Sequence, residues 1–143
     1  MLKLVERAAM TVHGWITTLQ PVNSPDSLAE MSKQKMRAKE EYASKVEGNL
    51  LAVNAVITGD QCYLIGNTDT AETLPSEFEL PAGIYACFEL SYMDQTELDQ
   101  LIGQSYGELM QDEHYQIAGN FNLEEYGDVG KLSFYVPVKK KAE

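Results

Sequence analysis

Six side chains in this sequence could do chemistry together: the carboxylate of Glu124, the phenols of Tyr63, Tyr85 and Tyr135, and the amides of Asn54 and Asn122. They form no contiguous motif. What gathers them is strand parity, because successive residues of a strand point to opposite faces. In 131–138 the apolar row is Leu132, Phe134, Val136 and Val138, which leaves Ser133 and Tyr135 on the other side. In 78–92 the row Ile84, Ala86, Phe88 and Leu90 leaves Tyr85, Cys87 and Glu89 opposite. Leu51, Val53, Ala55 and Ile57 leave Asn54, and the parity of Phe121 and Leu123 leaves Asn122 and Glu124. The expectation is that all six share the sheet face that carries no helices. Residues 9–19 resist this treatment: Met10, Val12 and Ile16 lie on one side, His13 and Trp15 on the other, and no face is assigned.

A carboxylate walled by aromatic rings loses water, which disfavours its charged form. A lipophilic cation restores the balance by pairing with it, while ring faces add cation–π attraction of roughly 0.5–2 kcal/mol per contact. Such a pocket selects for "aromatic and positive" rather than for one shape. The same carboxyl could serve as a general acid on a strained ring or as a general base on water. Two plainer readings stand beside these. The tyrosines could be half-buried sheet residues favoured by β-propensity, and Glu124 an exposed strand-end carboxylate. Other chemistry finds little footing. His13 and His114 have no Cys or His at metal-ligand spacing, and Cys62 and Cys87 form no CxxC pair. Gly103 and Gly107 fall inside a helical pattern rather than after a strand, and Ser133 has no evident base. No metal and no cofactor are expected.

The elements that must position these groups repeat. A strand over 9–19 is followed by a capping box at Ser27-Leu28-Ala29-Glu30 and a helix whose face is Leu28, Met31, Ala38, Tyr42 and Val46, with Lys35 the exception. Gly48 is the expected stop, and strands over 50–58 and 61–67 turn at Gly59-Asp60. The order then recurs: a strand over 78–92 with Pro81 near its start, a capping box at Asp94-Gln95-Thr96-Glu97, a helix with Leu98, Leu101, Ile102, Tyr106 and Leu109 on one face, and strands over 115–123 and 131–138. Glu6-Arg7-Ala8-Ala9 precedes Trp15 as Glu79-Leu80-Pro81-Ala82 precedes Phe88, a shift of 73, and Tyr63 matches Tyr135 at a shift of 72. The expected architecture is one α+β domain over 1–143. It is built of duplicated βαββ units (about 1–68 and 77–138) with pseudo-twofold symmetry: an antiparallel sheet, helices on one face and a ligand groove on the other.

Charge narrows the partners. The chain of 143 residues has 22 acidic against 11 basic side chains, a net charge of −11, and no basic stripe, so direct binding to DNA is not expected. Lys139-Lys140-Lys141 reads as a solvated tail. The N-terminus mixes Lys3, Glu6 and Arg7 into its apolar residues, and no apolar run suits a bilayer, so a cytoplasmic protein with free thiols is expected.

The sequence 80–88, Leu-Pro-Ala-Gly-Ile-Tyr-Ala-Cys-Phe, resembles the "PAGxYAxF" strand of the GyrI-like small-molecule-binding domain. Leu123-Glu124-Glu125-Tyr126 resembles that family's "[FL]ExY" segment, Phe134-Tyr135-Val136-Pro137-Val138 its closing "xYxPV" strand, and 5–12 its first strand. The resemblance implies a groove between two copies of the unit, in which an acidic residue among aromatic walls receives lipophilic cations. By motif position that residue is Glu124, with Glu125 the alternative if the register slips, and Tyr85 and Tyr135 are the walls. The family spans effector-binding halves of multidrug-sensing regulators, stand-alone gyrase modulators and hydrolases of cyclopropanoid genotoxins. No helix-turn-helix precedes the motifs. The implied function is a stand-alone binder of hydrophobic, cationic or aromatic small molecules. The implied protein partner is a DNA-binding regulator or gyrase. A hydrolase using Glu124 is the enzymatic alternative, and a gyrase modulator the third.

Overall fold

In the computed structural model, residues 3–46, 49–57, 59–68 and 74–142 are described. Their strands are β1 (Lys3–Arg7), β2 (Met10–Thr18), β3 (Leu51–Ile57), β4 (Asp60–Asn67), β5 (Ser76–Leu80), β6 (Gly83–Ser91), β7 (Tyr115–Ile117), β8 (Phe121–Tyr126) and β9 (Lys131–Lys140). The helices are α1 (Pro25–Tyr42), extended by a 3-10 turn over Ala43–Lys45, and α2 (Gln95–Met110). The fold is the expected α+β class. Its antiparallel sheet runs β1-β6-β9-β8-β3-β4-β2-β5, with β7 on the far end of β9.

Two long strands of the sequence pattern are each divided in the structure. Pro81 and Ala82 separate β5 from β6, because proline has no N–H to give a ladder. Ala118, Gly119 and Asn120 separate β7 from β8. A division at Ala8 and Ala9 likewise sets β1 off from β2. The short strands exchange sides: β1 pairs with β6, and β5 pairs with β2. Each half of the chain thus borders the other half's sheet. The halves also meet at the centre, where β3 pairs with β8 and Asn54 faces Asn122.

Helix α1 begins one turn before the expected capping box. Pro25 fixes the first helical φ, Ser24 Oγ accepts from Ser27 N at 3.2 Å, and Ser27 Oγ accepts from Ser24 N at 2.9 Å. Asp94 caps α2 as expected, accepting from Glu97 N at 2.8 Å, while Glu97 reaches back to Met93 N. Gly48 lies outside the described residues.

The core has three parts, and they correct the expected faces. Beneath α2, Ala86, Leu132, Phe134, Val136 and Val138 pack on Leu98, Ile102 and Leu109. Beneath α1, Ala52, Tyr63 and Ile65 pack on Leu19 and Ala38. The third part contains no helical residue: Val12, Leu51, Val53, Ala55, Leu64, Leu80, Tyr85, Cys87, Leu123 and Tyr135 fill the inside of the curled sheet. The face expected to hold an open groove is therefore buried core, because the sheet curls and that face packs on itself. The apolar rows of β6 and β9 do face a helix. Those of β3 and β8 face the curl instead, and this turns Asn54, Asn122 and Glu124 toward the helices. Both sides of β2 are covered as well: Val12 points into the curl, while Trp15 stacks on Tyr42 of α1 at 5.2 Å with rings nearly parallel.

Candidate functional site

The register of the central strands builds the site. One cross-strand row on the helical side is Tyr63–Asn54–Asn122, and the next is Ile65–Ala52–Glu124–Phe134. Ala52, the smallest member, sits directly across the ladder from Glu124. Tyr126 follows Glu124 by two residues, so strand parity turns it to the same side.

Glu124 is fully buried, and among the described residues every hydrogen bond it receives comes from a neutral group. Asn54 Nδ2 donates to Oε2 at 2.6 Å, Tyr63 OH to Oε1 at 3.1 Å and Tyr126 OH to Oε1 at 2.5 Å. Asn54 Nδ2 also donates to Asn122 Oδ1 at 2.8 Å, and Asn122 Nδ2 donates to Tyr106 OH at 2.9 Å. Glu125, one residue on, points the other way and lies 3.7 Å from Arg7.

The helices roof this carboxylate with charge. From α1, Lys35 Nζ lies 2.9 Å from Asp99 of α2, 3.8 Å from Glu124 Oε2 and 5.1 Å above the centre of the Tyr63 ring. Lys39 Nζ, one turn on, donates to Tyr126 OH at 2.9 Å. Asp99 also accepts from Ser32 Oγ at 2.7 Å and Gln95 Nε2 at 3.1 Å, so the seam between the helices is polar and satisfied. Burial, and then the negative charge of Glu124, hold the Tyr63 and Tyr126 phenols well above the usual tyrosine pKa. Burial also raises Tyr106 and lowers Lys39.

Two clefts open on either side of this seam. One, of about 350 Å³, is lined by Met31, Ile102, Lys35, Asp99, Asn54, Asn122 and Tyr106 among others. The other, of about 540 Å³, is bounded by Lys39, Leu50, Tyr92, Met93, Tyr126 and Val129. Both lie in the size range of small-molecule pockets. Met93 and Val129 stand exposed at the rim of the second. Among the described residues no group of three or more His, Cys, Asp or Glu is placed to hold a metal ion, and no helix is long and apolar enough to cross a membrane.

Of the six residues that strand parity gathered, four come together: Tyr63, Asn54, Asn122 and Glu124. Tyr85 and Tyr135 do not join them. Tyr85 is in the curl with its hydroxyl on Pro81 O at 2.7 Å, and Tyr135 lies there under the Arg7 guanidinium at 4.3 Å. Tyr63 and Tyr135, expected on one groove, thus occupy opposite faces. Strand parity holds in β3, β6, β8 and β9, but an apolar row marks the helical side only in β6 and β9; in β3 and β8 it serves the curl. Sequence reasoning missed Lys35, Lys39, Asp99, Tyr106 and Tyr126 as site residues. Two had signals: Lys35 interrupted the apolar face of α1, and Tyr126 shares the parity of Glu124.

No curated protein sequence matches the chain. Solved structures do share its fold. SAV2435, determined bound to tetraphenylphosphonium, superposes with a TM-score of 0.73 at 17% identity, covering 97% of this chain and 94% of that one. A putative transcription regulation protein of Staphylococcus aureus MU50 gives 0.71 at 18% identity, with 97% and 98% covered. An integron cassette protein from the mobile metagenome of Vibrio cholerae gives 0.65 at 12% identity, with 96% and 95% covered. The sequence profile of Cass2, the integron-associated effector binding protein, matches residues 17–138, which takes in α1, α2 and every residue of the polar seam. The chain belongs to the Cass2 family of integron-associated effector-binding proteins.

Proposed function

We propose that this protein captures lipophilic, cationic aromatic small molecules between α1 and α2, with Glu124 as the charged floor and Tyr63, Tyr106 and Tyr126 as the aromatic walls. The observation that carries this reading is the burial of a carboxylate whose hydrogen bonds all come from neutral donors. Such a group has its hydrogen bonds filled by neutral donors, with the Lys35 ammonium 3.8 Å away, and low surrounding polarity strengthens its pull on an arriving cation. The phenol rings offer negative faces at the same spot. A neighbour of the same fold was determined with tetraphenylphosphonium bound, a cation of this class. The ligand role first expected for Tyr85 and Tyr135 is not part of this site. The GyrI-like effector-binding domain remains the wider family to which the motifs point, and the role proposed is capture or sensing of such compounds, with no direct contact to duplex DNA.

Titration calorimetry with tetraphenylphosphonium tests the reading. The expected result is saturable binding at one ligand per chain, with the compound recovered unchanged after long incubation. Conversion of excess compound would favour a hydrolase built on the same Glu124.

A further inference from the structure

Lys35 stands where a guest would stand. Its ammonium, on a side chain only 4% exposed, is 3.8 Å from the buried carboxylate of Glu124 and 5.1 Å above the Tyr63 ring. A carboxylate below and a ring face beside are the two features that make a site for an organic cation. Lysine is also the one residue that breaks the apolar stripe of α1, at a position where Leu28, Met31 and Ala38 share the face. We propose that Lys35 is a tethered competitor: it fills the cation position of the Glu124 site when no effector is bound, and an effector binds by exchanging with it.

The geometry makes that exchange cheap. Lys35 donates its short bond to Asp99, at 2.9 Å, and not to Glu124. Moving the ammonium off Glu124 therefore breaks no hydrogen bond of the carboxylate, which keeps Asn54, Tyr63 and Tyr126. Nor need it break the bond to Asp99, which also has Ser32 and Gln95. Lys35, Asp99 and Asn54 all line the 350 Å³ cleft, so the space into which a guest would press is already next to the ammonium.

The device sets specificity. A tethered cation acts at an effective concentration that a small free ammonium ion cannot match. A guest wins only by adding ring and apolar contacts to its charge, and by giving up little hydration as it enters. Bulky, weakly hydrated cations meet both conditions; polyamines and simple amines do not. This inference rests on the proposed capture of cations over Glu124, and the two are separable by experiment.

Tetraphenylphosphonium is the probe, and triphenylphosphine oxide is the neutral control. The double variant Lys35→Met, Asp99→Asn removes the competitor together with the charge that would otherwise be left unpaired. It is expected to bind the phosphonium at least tenfold more tightly than wild type, with the neutral compound changed less than threefold. Equal or weaker binding by a folded double variant overturns the exchange. Glu124→Gln separates the two claims: if it weakens the phosphonium while the double variant gains nothing, capture over Glu124 stands and the competitor falls. If wild type and Glu124→Gln bind alike, or neither binds, both fall.

Discussion

The Tyr126 hydroxyl lies 2.5 Å from Glu124 Oε1, two residues along the same strand and on the same face. The strand itself thus delivers a carboxylate and its donor as one rigid unit. Lys39 completes the line by donating to the same hydroxyl at 2.9 Å. The charge of Lys39 is relayed to Glu124 through a neutral phenol rather than by contact, whereas Lys35, one turn earlier, faces the carboxylate directly at 3.8 Å.

Tyr126→Phe removes the relay while keeping the ring. Glu124 loses one of three donors and Lys39 loses its buried acceptor. The expected cost is about 1–3 kcal/mol in urea denaturation, the range for leaving buried polar groups unpaired. A loss below about 0.5 kcal/mol would mean that the hydroxyl is idle.

Glu124→Gln retains shape and removes charge. For a cationic aromatic dye it is expected to weaken binding by about 1.5–3 kcal/mol, the range for hydrogen bonds to a charged group. A neutral dye of the same outline should lose much less. Equal losses, read by fluorescence titration of both dyes, would assign the effect to packing.

Asp99 ties α2 to α1 through Lys35 and Ser32. Asp99→Ala strands a buried ammonium and is expected to destabilise the fold by about 3–5 kcal/mol. Lys35→Met combined with Asp99→Ala should cost less than the two single changes added together, because the pair acts as a unit. Additive losses from the four denaturation curves would deny the coupling.

Alkaline pH should unfold the protein. The folded-state pKa values of Tyr63 and Tyr126 lie well above the ordinary value near 10, first because the phenols are buried and then because Glu124 is negative. Above about pH 10 the unfolded chain releases these protons while the fold retains them. The stability they contribute is complete below that pH and is lost as pH rises through the folded values. Lys39, lowered by burial, acts oppositely between its folded value and 10.5, but it is one group against two. Phenolate absorbance is expected to show both tyrosines ionising only as the chain unfolds. Reversible titration of all eight tyrosines in the native state would contradict this.

The parity of each strand and the periods of both helices were legible in the sequence because they depend on neighbours one to four residues apart. Glu124, Asn54 and Asn122 emerged by that route, whereas Tyr63 came from its match to Tyr135 at a shift of 72, although the two occupy opposite faces. Which side of β3 meets a helix was not legible, since a curled sheet buries both faces and an apolar row marks burial rather than its cause. Lys35 and Asp99 are 64 residues apart and sit on different helices. No period within α1 or α2 announces that the two polar residues answer each other. Tyr85 and Tyr135 misled for a related reason: tyrosines on a parity-matched row look like pocket walls until the sheet is seen to close over them.

The exchange of β1 and β5 bears on how the molecule is made. β2 acquires its outer neighbour only when β5 has left the ribosome, and β3 has no partner on its inner side until β8 appears. A nascent first half therefore presents two open strand edges, the situation that invites pairing between chains. Because the ladders that close these edges join residues far apart in sequence, folding is expected to be slow for a protein of this size and to be completed after most of the chain is synthesised.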